Sequence, residues 1–448
     1  MPLGKNNREY RLYYDIIEAV KCKAEWETYM TGNGLISLKD VLDSKRIIIW
    51  GTGNTAKVFC EKYREQLPYY ALTSNEKDIA AMNGMKTIRP GEINPKTDFI
   101  IVCSIYYDEI RYQLMCMWGE QPVPYFVKWD IFEKLYEAEL HEKQLIVAVG
   151  QCEILFMCNA LESLKSIQDK YSIIYFDEQK VCAHGNKCNL PETRECLKLL
   201  EMADYFMKPS VLSPQPMRNF QFLQEHISSQ CKTITISLFN GDSYFPQDIA
   251  KERGLNKYYL VKHNQKLCAF VERDQIIQRY IDEGYSVKEI MDRISREDFF
   301  DRNEVINNHN NCIKRARIAD KISDIKMADF MLEKYNMMKL YCDRGHFSEN
   351  LLKEYVIRLL QFLNGNMEEV RLMDFSSFFR NVNEFPIYPS TANILELDFI
   401  NGDTLYREHR YDGIKLVTFE EYMETFIRYC KTGKEILKYS CWNDCEEK

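Results

Sequence analysis

The feature that most constrains this chain is a pair of apolar runs that stop at a glycine and lead straight into helix-patterned residues. The first is Arg46-Ile-Ile-Ile-Trp50, followed by Gly51-Thr-Gly-Asn-Thr-Ala56. The second is Gln144-Leu-Ile-Val-Ala-Val-Gly150, followed by Gln151-Cys152-Glu153 and Ile154-Leu-Phe-Met-Cys-Asn-Ala-Leu161. Short unbroken apolar runs of this kind read as strands buried on both faces, the sort found in parallel sheets covered by helices. Around the first run, strands are expected over 69–73 and 98–104 and helices over 57–66 and 107–118, an alternation that predicts a Rossmann-like parallel sheet.

After a mostly helical bridge over 127–141, the second run restarts the alternation. Strands are expected over 171–176, 205–207 and 233–238, with helices over 192–202 and 217–228. Helical periodicity dominates from 274 to 363, a short apolar edge at 337–341 leads into Cys342-Asp-Arg-Gly-His346, and the tail alternates short strands and turns. Ahead of the first sheet, residues 8–31 and 38–42 have helical spacing. The expected organisation is a helical segment over 1–44, a Rossmann-like domain over 45–140, and a larger α/β domain with a helix-rich second half over 141–448. A chain of 448 residues is long enough for two or three cores.

Several classes are excluded early. No window reaches the roughly 18–20 apolar residues that a spanning helix needs, and the polar N-terminus lacks the apolar region of a signal peptide. A cytoplasmic location is therefore expected, and the 16 cysteines are read as reduced, mostly buried thiols. A net charge of −8 argues against a nucleic-acid partner, although a local basic pocket remains compatible with it.

Gly51, Gly53, Asn54 and Ala56 form a small-residue turn between strand and helix, where glycines let a backbone approach a phosphate. The next strand ends in Thr73-Ser-Asn75 without the acid that would hold a ribose, so a tight turn with no bound dinucleotide stands beside the nucleotide-binding reading. At the second turn, Cys152 is expected at a helix N-terminus, where unsatisfied amides favour a thiolate. Gly150, Gln151 and Glu153 flank it. A small buried core thiol is the alternative.

His346 stands out among seven histidines because Gly345 and a helix cap at Ser348 put it in a turn. Lys314-Arg-Ala-Arg317 offers Arg315 and Arg317 to phosphates, or else forms a solvated helix face paired with Asp320 and Asp324. Lys208 can meet an anion or solvent. Cys182, His184, Cys188 and Cys196 lack the paired short spacing of structural zinc sites, and no metal is expected. Gly241-Asp242-Ser243 reads as a loop.

Two resemblances bear on function. Trp50-Gly-Thr-Gly, the Gly91-Glu-Ile stretch and Asp98-Phe-Ile-Ile-Val-Cys-Ser, within about 45–130, look like the small Rossmann-like domains attached to sugar-modifying transferases. Gly150-Gln-Cys-Glu153 resembles the Gly-Asn-Cys-Gln signature of WcbI-type polysaccharide-biosynthesis proteins. In the same order, residues 202–209, 236–246 and 337–352 resemble that family, whose Asn-His-Pro-Ser element aligns its histidine with His346. The likeness spans about 144–365. Gln151, Glu153, Gly345 and Phe347 depart from the family pattern; Cys152 and His346 keep to it.

The resemblance implies a coenzyme A-dependent acetyltransferase that takes coenzyme A or acetyl-CoA as donor and a sugar, nucleotide sugar or polysaccharide precursor as acceptor. Cys152 and His346 would carry the chemistry, with Gly150, Gln151, Glu153, Lys208, Arg315 and Arg317 holding the donor. Two roles fit: His346 as base for the attacking hydroxyl, or Cys152 as an acyl-accepting nucleophile. The alternatives are a noncatalytic nucleotide-sugar-binding or scaffold protein using Gly51 to Ala56, and a Cys/His esterase.

Overall fold

A computed structural model describes residues 46–432, except 52, 65–68, 74–85, 95–96, 105, 108–109, 111–112, 115–116, 118–124, 179–180, 182–190, 211–219, 249–258, 264–265, 271–273, 381, 383 and 411–412. The helices expected over 8–31 and 38–42, and Cys182, His184 and Cys188, lie outside the described residues. The chain divides into two compact units. One contains the described residues up to Ala148 and those of Asp169–Phe206 and Asn219–Lys232; the other contains those of Val149–Gln168, Met207–Arg218 and Thr233–Lys448.

The first unit holds the expected parallel sheet. Strands β1 (Arg46–Trp50), β2 (Tyr69–Thr73), β3 (Lys86–Thr87), β4 (Asp98–Val102) and β5 (Tyr125–Lys128) lie in the order β3-β2-β1-β4-β5, every pair parallel. Alternate residues face opposite layers. Ile47, Ile49, Phe99 and Ile101 pack on Ala56 and Phe59 of α1 (Asn54–Lys62) and Phe132 of α2 (Trp129–Leu140). Ile48, Trp50, Ile100 and Val102 pack on Tyr107, Ile110 and Leu114 of the opposite layer. Arg46 closes the strand starts by hydrogen-bonding the buried Asp98 carboxylate, Nε to Oδ1 at 2.9 Å.

The second sheet follows from the second apolar run. β6 (Gln144–Gly150) leads into α3 (Cys152–Glu162), then come β7 (Tyr171–Asp177), α4 (Pro191–Met202), β8 (Tyr205–Pro209) and β9 (Lys232–Ile236), with strand order β7-β6-β8-β9. The strand starts align: Gln144 N–H donates to Lys170 O, Asp204 N–H to Leu145 O and Lys232 N–H to Asp204 O, all at 2.8–3.0 Å, so the strands run in one direction. Of the helix expected over 217–228, Phe220–Gln224 is helical, the chain turns over 225–228, and 217–219 lie outside the described residues.

The helix-rich second half begins after the β10 (Tyr259–His263) and β11 (Lys266–Phe270) hairpin. It comprises α5 (Gln275–Asp282), α6 (Val287–Ile294), α7 (Arg302–Asp320), α8 (Ala328–Lys334) and α9 (Glu349–Leu363), then the β12 (Tyr406–Arg410) and β13 (Gly413–Val417) hairpin and α10 (Phe419–Thr432). Local sequence fixes the starts: Asp274, Ser286, Asp301 and Ser348 each cap a helix by accepting a first-turn amide. Leu351, Leu352, Tyr355, Val356, Leu359, Leu360 and Leu363 make α9 the most deeply buried helix stripe of this unit.

Candidate active site

Gly150, Gln151, Cys152 and Glu153 make the turn into the start of α3, and His346 meets them there. Val149 and Gly150 end β6 fully covered, Gln151 takes the N-cap position in extended conformation, and Cys152 is the first helical residue. Gly150 is dictated by the tightness of the turn: a Cβ there would overlap the Ile154 side chain one turn up the helix. The strand-to-helix geometry read from the sequence is thus the geometry present.

His346 arrives from a hairpin. Tyr341 and Phe347 form an antiparallel bridge, Cys342 N–H donates to His346 O at 2.9 Å, and Ser348 N–H donates to Leu340 O at 2.8 Å. Ser348 then caps α9 and donates its hydroxyl to Lys339 O at 2.6 Å. Phe347 packs against Phe156 of α3, Tyr355 of α9 and Phe379, with centroids 5.6–6.2 Å apart, and Phe156 stacks on Phe379 at 5.1 Å. Cys152 and Phe156 are four residues apart and share a helix face. The aromatic cluster therefore locks the hairpin to that face, and the residue beside Phe347 meets the thiol.

The Cys152 thiol and the His346 imidazole are close enough that each shifts the other's titration. Asp343 completes the chain. Its Oδ2 lies 2.7 Å from His346 Nδ1, while Oδ1 accepts the amides of Gly345 and His346, both at 2.7 Å. With Nδ1 committed to Asp343, Nε2 is the nitrogen left for sulfur. Asp343 was not singled out in the sequence, although the Asp-x-x-His spacing was there to find.

Charge in the site does not follow helix position alone. Burial raises the Cys152 thiol above its ordinary range; the His346 hydrogen bond works against this and the Glu153 carboxylate, 3.5 Å from the sulfur, adds to it. The thiolate favoured by the first helical turn is thus outweighed. Burial works to lower the His346 imidazole, but the Asp343 carboxylate, with Cys152 contributing, outweighs it and holds the group well above its ordinary range. Asp343 thus favours the charged form of the imidazole, and burial favours the neutral form of the thiol beside it.

Lys208 is the penultimate residue of β8 and Cys152 follows β6, so both sit near the C-terminal ends of neighbouring parallel strands. It is 8% exposed, which rules out the solvated reading, and burial lowers its ammonium pKa against the pull of Asp324. Asp242, read as part of a loop, is a buried anchor: Oδ1 accepts Arg344 Nε at 2.6 Å and Oδ2 accepts an Arg315 nitrogen at 2.7 Å. Gly241 N–H donates to Arg344 O at 2.8 Å, tying this loop to the hairpin that carries His346. Arg315 therefore joins the hairpin, whereas Arg317, two residues on along α7, points to a different surface with Lys314 and Lys321.

Gly51, Gly53, Asn54 and Ala56 belong to the first unit. Gly51 has φ +139°, its amide donates to Thr73 O at 2.9 Å, and a Cβ would overlap Cys103 O. These strand contacts account for the glycine and use the amide that a phosphate would need. Gly53 caps α1 in open space, and Ala56 is buried under the sheet. Thr73, at the end of β2, is fully buried. Among the described residues, no group of His, Cys, Asp and Glu is arranged to hold a metal ion.

Comparison with known proteins places these observations among others. No curated protein matches the chain. Residues 43–120 match the family described as C2185-like, N-terminal. Among solved structures, the chain is similar to WcbI, described as a novel polysaccharide biosynthesis enzyme, in a native form without a disulfide between coenzyme A and one of its cysteines. The match has 13% identity and a TM-score of 0.47, and covers 64% of this chain and 90% of that one.

Proposed function

We propose that this chain is an acyltransferase, moving an acetyl or similar group from coenzyme A to a sugar hydroxyl in polysaccharide biosynthesis. The observation that carries the reading is the His346–Asp343 hydrogen bond, Nδ1 to Oδ2 at 2.7 Å, beside the Cys152 thiol at the start of α3, which supplies a nucleophile, a base and a group that orients the base. On this reading residues 45–140 form an accessory Rossmann-like module, and 141–448 carry the reaction.

In the covalent route, His346 first releases its Nε2 proton to solvent, then Cys152 Sγ attacks the thioester carbonyl and the thiol proton passes to His346 Nε2. The backbone amides at the start of α3 face the developing oxyanion. The carbon–sulfur bond to the donor breaks, and the leaving thiolate takes that proton. The acceptor hydroxyl then gives its proton to His346 as its oxygen attacks the acyl-cysteine, and Cys152 leaves and regains the proton. Asp343 holds Nδ1 throughout, fixing the tautomer in which Nε2 exchanges protons.

A second reading has its own support. The raised Cys152 thiol favours a protonated sulfur, and His346 then deprotonates the sugar hydroxyl for direct attack on the donor. The donor requires cationic partners for its phosphates, and Arg315, 53% exposed while anchored by Asp242, fits that need with Arg344 beside it. Lys208 and the Gly150–Glu153 turn are assigned to the same donor.

Thermal stabilisation by coenzyme A or acetyl-CoA tests the reading directly: a rise in melting temperature at millimolar ligand is expected, and none would sink it. Stabilisation by nucleotide sugars alone would favour a binding protein instead. Full acyl transfer by Cys152→Ala would eliminate the covalent route and keep the direct one.

A further inference from the structure

Helix α7 carries a second surface of unusual make-up. Asn310, Lys314, Arg317, Ile318 and Lys321 follow one another at i, i+4, i+7, i+8 and i+11, so they share one face of the helix and its C-cap. With Ile313 and with Leu332 of α8, they line a shallow, mainly aliphatic depression. Ile318 is 43% exposed, Leu332 41%, and Ile322, just past the cap, 53%.

Asp320, Asp324 and Glu333 are engaged elsewhere. Asp320 accepts the amides of Met327 and Ala328 at 2.9 and 2.8 Å, and Asp324 accepts the Thr235 amide and hydroxyl at 2.8 and 2.6 Å. Glu333 pairs with Lys334 at 2.7 Å. The helix pairing expected between these acids and Arg317 or Lys321 is not what forms. Among the described residues, no carboxylate lies within ion-pair distance of Lys314, Arg317 or Lys321.

Three uncompensated cations around exposed aliphatic side chains, on a chain of net charge −8, complement a surface that is anionic outside and apolar just beneath. We propose that this face of α7 and α8 docks the protein peripherally on an anionic lipid bilayer. Lys314, Arg317 and Lys321 meet lipid phosphates, and Ile318, Ile322 and Leu332 enter between the headgroups. A soluble polyanion would engage the cations and leave the aliphatic side chains in water, so lipid is the occupant that uses the whole face. Among the described residues no helix is long and apolar enough to cross a membrane, which makes the contact interfacial. The docking stands on these residues alone and does not depend on the acyl-transfer reading.

Flotation of the full chain with vesicles tests it. Binding is expected to phosphatidylcholine–phosphatidylglycerol vesicles and not to phosphatidylcholine alone. Each cation contributes roughly fivefold at low salt, so the combined Lys314→Gln, Arg317→Gln, Lys321→Gln variant should lose on the order of a hundredfold. Ile318→Ser with Leu332→Ser should keep the low-salt encounter and lose retention at raised salt. Melting curves matching the parent protein would show that both variants fold. Equal binding to neutral vesicles, no binding to anionic ones, or indifference to the triple substitution overturns the proposal. So does complete retention by the Ser variant together with displacement by inorganic polyphosphate, which would mark a polyanion site.

Discussion

Asp343→Asn isolates the charge that holds His346. Asparagine keeps an oxygen for the amides of Gly345 and His346, both 2.7 Å from Asp343 Oδ1, so the hairpin retains its turn while the ion pair at Nδ1 is lost. A hydrogen bond to a charged partner contributes about 1.5–3 kcal/mol, and a neutral one about 0.5–1.5. His346 is raised well above its ordinary range, so this contribution is fully present below the ordinary imidazole pKa and fades as pH rises through the folded value. Replacing the charged bond by a neutral one costs about 1–1.5 kcal/mol, so hydrogen exchange of the peptide spanning 340–348 should show protection falling by roughly five- to 13-fold at pH 6 in the variant. The deficit should shrink at alkaline pH, with parent and variant compared at the same pH throughout. An equal deficit at both pH values, or none at either, would mean that the carboxylate does not charge-pair with this imidazole.

His346→Gln removes the hydrogen bond that opposes burial at Cys152, so alkylation of that thiol by iodoacetamide at a fixed pH near 8 should slow; an unchanged rate, read by mass spectrometry of the peptide, would contradict the coupling. Acyl transfer itself should increase with pH along a limb set by the raised His346 pKa, because the base must first lose its proton; a limb in the ordinary imidazole range would refute that assignment. Gly150→Ala forces a methyl into Ile154 and should lower stability by about 1–3 kcal/mol, with part of the loss recovered by adding Ile154→Ala, both read from melting temperatures. Phe156→Ala removes a ring that is only partly buried and should lower stability by about 2–3 kcal/mol, below the full core value, while also weakening the effect of His346→Gln on Cys152 alkylation.

The elements closest to local chemistry were legible in the sequence. The run into Gly150 predicted β6 and α3, and Ser348 predicted the start of α9, because apolar runs, glycine turns and caps act over a few residues. What escaped depends on segments distant in the chain. Asp242 reads as loop until Arg315 and Arg344 arrive from α7 and the 341–347 hairpin to bond it, and Asp343 reads as one more polar turn residue until that hairpin points it at an imidazole. Lys208 looked free to be solvated because a single strand's pattern says nothing of what covers its end. The thiolate expected at Cys152 failed for a related reason: helix position is local, whereas burial is a property of the finished fold.

The hairpin between Tyr341 and Phe347 gives the site a built-in timing. Cys152 comes early in the second unit, but its base lies far downstream and meets it only where Phe347 seats against Phe156, Tyr355 and Phe379. A growing chain therefore exposes an isolated sulfur of ordinary thiol reactivity, and the thiol coupled to its imidazole exists only in protein whose aromatic cluster has closed. Chemical competence and completion of the core become the same event, so labelling of Cys152 during refolding should fall in step with burial of Phe347.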